Sequence, residues 1–191
     1  MVGSNGAGKS TFLRVLSGIY KPDKGCAYIN DEPIYENPKV KDNIVFVSDE
    51  LFFLPGATMS KMADFYSSIY DRFNYDRFLK LAELFELNIK KPIANFSKGM
   101  KRQASIILAL STRAKYMFFD ETFDGLDPVM RNLVKKLICN DVAEYDTTVI
   151  VTSHSLRELE DICDHLALLH KGGLVLDSDV LELKTTQFKV Q

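Results

Sequence analysis

Residues 3–10, Gly3-Ser4-Asn5-Gly6-Ala7-Gly8-Lys9-Ser10, follow the spacing G-x-x-x-x-G-K-[ST] at every required position. That spacing suits the holding of a polyphosphate. Glycines take φ > 0 and let amide N–H groups approach phosphate oxygens. Lys9 would reach the β- and γ-phosphates, and the Ser10 hydroxyl would ligate Mg²⁺. Residues 9–17 carry apolar side chains at 12, 13, 15 and 16 and run to Gly18, the pattern of a helix with its stop. A helix N-terminus adds free N–H groups and the positive end of its dipole towards the same anion. The expected ligand is a nucleoside triphosphate with Mg²⁺. The expected contact set is Gly3, Ser4, Asn5, Gly6, Ala7, Gly8, Lys9, Ser10 and Thr11.

A second group of chemically able residues closes an apolar run. Tyr116-Met117-Phe118-Phe119 leads directly into Asp120-Glu121. A buried strand would deliver Asp120 to its C-terminal end, where the ligands of α/β sheets lie. Asp120 would hold Mg²⁺ through water, opposite Ser10. Glu121, one residue beyond, would act as general base and polarise a water for attack on the γ-phosphate.

These residues need a framework that brings strand ends and a loop together. Ala27–Ile29, Ile44–Val47, Tyr116–Phe119 and Thr148–Thr152 read as strands, the second as one buried on both faces. Two amphipathic helices are expected between Met59 and Leu87, joined near Asn74. Others are expected over about 98–112, over Val129–Val142 with Pro128 in the first turn, and over Leu156–Cys163. Leu166–Leu169 and Leu174–Leu176 flank Gly172-Gly173 as a hairpin. Strands alternating with helices predict an α/β fold, a parallel sheet sandwiched by helices, and the loop of residues 3–10 makes the expected sheet P-loop NTPase-type. An inserted helical subdomain over about 58–112 interrupts it, within a single domain spanning 1–191.

Composition agrees with such a domain. Hydrophobic content of 46% and charged content of 26% are ordinary for a globular chain. A net charge of −2 argues against a nucleic-acid partner. No stretch reaches the roughly 18 apolar residues of a spanning helix. Cys26, Cys139 and Cys163 lie far apart without C-x-x-C spacing. We expect reduced thiols of a cytosolic protein, mostly packing residues.

Taken together, the two groups resemble the ATP-binding cassette ATPases over nearly the whole chain. Asn95 to Gln103 is similar to the family's signature L-S-G-G-Q, with Ser97 and Gly99 matching and Phe96, Lys98 and Met100 departing from it. The resemblance implies that this segment closes over the γ-phosphate bound by another subunit. Lys98 either adds charge towards that phosphate or faces solvent. Asp124-Gly125-Leu126-Asp127 is similar to the family's D-loop, which places Asp127 at a dimer interface. Thr152-Ser153-His154 stands where the family has its switch histidine, so His154 would touch the γ-phosphate and orient the attacking water. His165 and His170 match nothing in the family and are expected to be structural or surface residues.

The departures matter. The family usually has a glutamine after the second strand that touches Mg²⁺; here Asp49 takes the nearest place, with a different charge and a shorter reach. A carboxylate there would bind Mg²⁺ or a water. The family's adenine-stacking aromatic precedes the phosphate loop, and only Met1 and Val2 stand there. Such loops follow a buried strand, so an N-terminally truncated product, or a start read too late, is expected.

The function implied by resemblance is ATP binding and hydrolysis by a nucleotide-binding subunit. Its partners would be a second such subunit and a separate membrane permease, on the cytoplasmic face of the membrane. The short helical insert and the Phe-Ser-Lys-Gly-Met form resemble subunits of bacterial exporters. A soluble non-transport cassette ATPase and a non-hydrolysing fragment are the alternatives.

Overall fold

A computed structural model describes residues 1–187. Its centre is a parallel sheet in the order β3 (Ile44–Val47), β4 (Tyr116–Asp120), β5 (Thr148–Thr152). β4 lies in register with both neighbours, pairing Phe119 with Val47 and Asp120 with Thr152. Successive β4 side chains go to opposite faces. Met117 and Phe119 enter one core with Val45, Val47 and Val151; Phe118 enters a second with Leu13, Ile34, Ile44 and Leu169. Burial on both faces is why these strands read as unbroken apolar runs.

The remaining elements flank this sheet. α1 (Lys9–Leu16) buries Leu13 in the second core. A hairpin of β1 (Tyr28–Ile29) and β2 (Glu32–Pro33) turns on Asn30 and Asp31, whose φ of 50° and 64° suit a tight two-residue turn. A single helical turn, α2 (Pro38–Lys41), precedes β3. Between β3 and β4 come α3 (Met59–Ile69), α4 (Tyr75–Leu84) and α5 (Lys98–Ser111), capped by Thr58, Asn74 and Ser97, each accepting a first-turn N–H. From Ala104 to Ser111 every residue of α5 is buried, so it is a central helix and not a surface one. Its buried hydroxyls are satisfied locally: Ser105 donates to Arg102 O and Ser111 to Ile107 O. α6 (Pro128–Tyr145) connects β4 to β5. β6 (His165–His170) and β7 (Gly173–Asp179) form an antiparallel hairpin, followed by α7 (Val180–Gln187).

Met1–Gly3 runs between β5 and β6. Val2 N–H donates to Ala167 O at 2.8 Å, Leu169 N–H donates to Val2 O at 2.8 Å, and Ser153 N–H donates to Met1 O at 3.1 Å. These bonds join the hairpin to the central sheet and aim the chain into the phosphate loop. Beside Met1 the space between β5 and β6 opens into a groove of about 620 Å³, which leaves Val149 and Ile150 half-buried.

Three expectations are corrected. Leu156–Cys163 is one 3₁₀ turn (Leu156–Glu158) followed by irregular turns. Its apolar spacing is helical, but only Leu159 is buried, and Ser153 draws the segment into local bonds through Ser155 N–H and Glu158. Such bonds compete with helix in a piece too short to nucleate one. The β6–β7 turn centres on Lys171 and Gly172, both with positive φ, one residue before Gly172-Gly173. Cys26 and Cys139 are exposed, and Cys163 alone is partly packed. Among the described residues no helix is long and apolar enough to cross a membrane.

Candidate functional site

The phosphate loop leaves the sheet at Gly3. A β-carbon there would lie 2.5 Å from the carbonyl oxygen of Leu169, so no larger residue fits. Ala7 N–H donates to Ser4 O at 3.0 Å and closes the turn, and Gly6 and Gly8 take φ of 77° and 103°. Ser4, Asn5 and Gly6 form an exposed rim, Ser10 is half-buried and Thr11 is exposed. Gly8 caps α1 without a side chain, which leaves the first-turn N–H groups facing the concavity.

Lys9 fills that concavity itself. The Lys9 ammonium is buried and donates to Gly3 O at 2.7 Å and Ser4 O at 3.3 Å, and lies 3.0 Å from Glu121 Oε1. Two carbonyls and one carboxylate hold the charge that the loop's chemistry reserves for phosphate.

β4 and β5 bring the acidic end alongside. Asp120 is fully buried; the Thr152 hydroxyl donates to its Oδ1 at 2.7 Å, and its Oδ2 has no hydrogen-bond partner. An orphaned, buried carboxylate oxygen beside a phosphate loop fits a cation or its water shell, as expected of an Mg²⁺ ligand. Glu121 leaves the strand with φ 47°, a left-handed conformation rare for a residue with a β-carbon. The turn sends its carboxylate between Lys9 and His154: Oε1 meets Lys9, and Oε2 accepts from His154 N–H at 3.3 Å and lies 3.1 Å from its Nδ1.

The hydrogen bond to Glu121, then the nearby Asp124 carboxylate at 4.0 Å, raise the His154 pKa above its ordinary 6.5. Stability from this contact is full below that value and is lost as pH rises through the raised one. His154 is about half exposed, so solvent screens the effect. Burial, the largest influence on Asp124, raises its pKa, and His154 opposes it.

The expected signature lies at the start of α5. Ser97 Oγ accepts Met100 N–H at 3.2 Å, and a β-carbon on Gly99 would come within 3.3 Å of Gly125 O, so the signature glycine packs on the turn after Glu121. Lys98 is exposed. Asp127 caps α6, its Oδ1 accepting from Val129 and Met130 N–H at 3.0 Å each. Asp49 pairs with Arg102 of α5 at 2.7 Å, and the same guanidinium donates to Ser48 O at 3.1 Å. This ties the segment after β3 to the helix behind the signature. His165 pairs with Asp177 across the β6–β7 hairpin, at the surface.

Arg102 is buried while Asp49 is mostly exposed, so the two ends of the pair are unequal. Asp49→Ala strands a buried charge, whereas Arg102→Met removes it and keeps the packing. We expect Asp49→Ala to be the more destabilising, by about 1 kcal/mol, below the roughly 1.5–3 kcal/mol of a charged hydrogen bond because the carboxylate is screened. Urea unfolding of both variants checks the order.

Two participants lie outside the sequence reading. Arg102 sits in a helical pattern and Thr152 in a β-branched strand, and neither residue type marks it as a partner of Asp49 or Asp120. Only cross-strand register and helix docking do so.

Comparison with known proteins adds an independent line. The profile of the ABC transporter family matches residues 1–124. The ABC transporter ATP-binding protein YtrB of Bacillus subtilis (strain 168) is 32% identical over 191 residues, covering 100% of this chain and 65% of that relative. The chain thus spans somewhat less than two thirds of that relative's length. A solved ATP-binding subunit of an ABC transporter superposes with a TM-score of 0.88 at 23% identity, over 98% of this chain and 80% of the other. The ATP-binding cassette MJ0796, solved as a dimer in a post-hydrolysis state bound to ADP and Pi, gives 0.82 at 20% identity, over 94% and 83%. At such identities the structural matches speak for the fold, a P-loop NTPase-type α/β sheet.

Proposed function

The chain belongs to the ABC transporter family, and from that membership we propose that it binds and hydrolyses ATP as the nucleotide-binding subunit of a separate membrane permease. The observation that carries the reading is the meeting of three groups at one point. Lys9 Nζ lies 3.0 Å from Glu121 Oε1, and His154 Nδ1 lies 3.1 Å from Glu121 Oε2, beside the phosphate loop.

The chemistry follows from competition for Lys9. The triphosphate bound by the amides of residues 3–11 draws the ammonium off Glu121. The freed carboxylate accepts a proton from a water whose oxygen bonds to the γ-phosphorus, as the bond to the ADP oxygen breaks. His154 N–H groups orient that water and the γ-phosphate. Ser10, Asp120 and Asp49 are the candidate holders of Mg²⁺, which when bound neutralises charge developing on the phosphates. Asp120 is the best fitted, through its orphaned Oδ2.

Ser97 and Gly99 would cover the nucleotide held by a second nucleotide-binding subunit, with Asp127 near the seam. That the similar cassette MJ0796 was solved as a dimer supports the pairing of two such subunits. We take residues 1–191 as one ATPase domain with a helical subdomain over about 58–112, working beside the permease on the cytoplasmic side of the membrane. The Phe96–Met100 sequence favours a bacterial exporter by resemblance. Light scattering on Glu121→Gln with saturating Mg-ATP tests the sandwich. A dimer that reverts to monomer on nucleotide removal is expected; a monomer throughout removes the homodimer and leaves a heterodimer with a different nucleotide-binding subunit.

A further inference from the structure

We propose that Thr152 is a positioning residue that sets both Asp120 and Glu121 for metal binding and catalysis. The inference rests on the ATPase reading above and deepens it. Thr152 is the last residue of β5 and pairs in register with Asp120, the last of β4. Its side chain is fully buried. Its hydroxyl makes two bonds of opposite sense: it donates to Asp120 Oδ1 at 2.7 Å and accepts Glu121 N–H at 3.1 Å.

A hydroxyl has one proton and two lone pairs. Donation to Asp120 fixes the rotor, and the fixed rotor turns a lone pair towards Glu121 N–H. One oxygen therefore joins the carboxylate of one residue to the backbone of the next. Two consequences follow. With Oδ1 held, the Asp120 carboxylate presents Oδ2, the buried oxygen that lacks a partner. With its N–H held, Glu121 stays in the left-handed turn, at φ 47°, that carries its side chain back to Lys9 and His154.

Valine has the shape of threonine without its hydroxyl. In Thr152→Val, Asp120 would be fully buried with neither oxygen hydrogen-bonded, and Glu121 N–H would lose its acceptor. Serine keeps the hydroxyl and drops the methyl. Groups that orient a metal ligand typically contribute 10–100-fold to metal affinity.

The test is a titration of Mn²⁺ into the ATP-bound chain, followed by electron paramagnetic resonance, with ATP affinity measured separately in EDTA. Thr152→Val is expected to bind Mn²⁺ about 10–100-fold more weakly. Its metal-free ATP affinity should stay within about threefold, and Thr152→Ser should keep wild-type Mn²⁺ affinity. A Val variant that binds Mn²⁺ like wild type overturns the proposal. So does a Ser variant as weak as Val, since the methyl group would then be what matters. Thr152→Ala supplies the same comparison if Thr152→Val does not fold. A wild-type chain that binds no Mn²⁺-ATP overturns the ATPase reading together with the proposal; a change confined to Thr152 variants separates the two.

Discussion

Glu121→Gln is expected to lower ATP turnover by about 10²–10⁴-fold, the usual worth of a positioned general base, while ATP binding is kept or strengthened. The amide retains the shape of the carboxylate and still accepts from His154, but it cannot take a proton from water at neutral pH. It also cannot hold Lys9 as an ion pair. Lys9 lies 3.0 Å from Glu121 Oε1, and this contact must break before the lysine reaches phosphate. The substitution removes that competition, so the ATP-induced rise in unfolding midpoint should equal or exceed that of wild type. A second readout separates loss of the base from general damage. His154 has a raised pKa chiefly through its hydrogen bond to Glu121, so its NMR titration should move down towards 6.5 in the variant. Phosphate release within about threefold of wild type would remove Glu121 from the role of base.

The same residues show how far the sequence could be read. β3 and β4 were legible because a parallel strand covered on both faces carries no polar alternation, and Ile44–Val47 and Met117–Phe119 have none; β5 was legible from its β-branched run Thr148–Thr152. The break between α3 and α4 was legible because Asn74 has a local job as a cap, completed within three residues by Arg77 N–H. Leu156–Cys163 was misread because its spacing is helical while its bonding is decided by Ser153, a residue of the preceding loop. The loop glycines and the run into Asp120 announce themselves by type and spacing. Lys9 folded onto Glu121, Arg102 under Asp49 and Thr152 between Asp120 and Glu121 do not. These contacts join residues 31 to 112 positions apart, with Arg102 and Asp49 separated by 53, and depend on register and docking. Residue type was enough to single out the groups proposed to touch substrate. It was not enough to find the groups that hold them.

Lys9→Ala is expected to abolish the thermal response to ATP. Ligand at about a hundred times its dissociation constant stabilises a protein by ~2.7 kcal/mol, a midpoint rise of roughly 5–10 °C for a domain of this size. In the variant the loop keeps its glycines and the helix N-terminus but loses the ammonium proposed to reach the β- and γ-phosphates. The ligand-free protein should change as well. Lys9 is buried with two carbonyls and a carboxylate around it, and its loss leaves the Glu121 carboxylate paired with His154. The two effects can be told apart with the double variant Lys9→Ala/Glu121→Gln. If the ion pair links the residues, their effects on ligand-free stability are non-additive, with a coupling of about 0.5–3 kcal/mol for residues in contact. The loss of ATP response should instead follow Lys9 alone and appear in full in both the single and the double variant. An undiminished midpoint rise in Lys9→Ala would mean that the lysine serves its pairing with Glu121 and not the phosphate site.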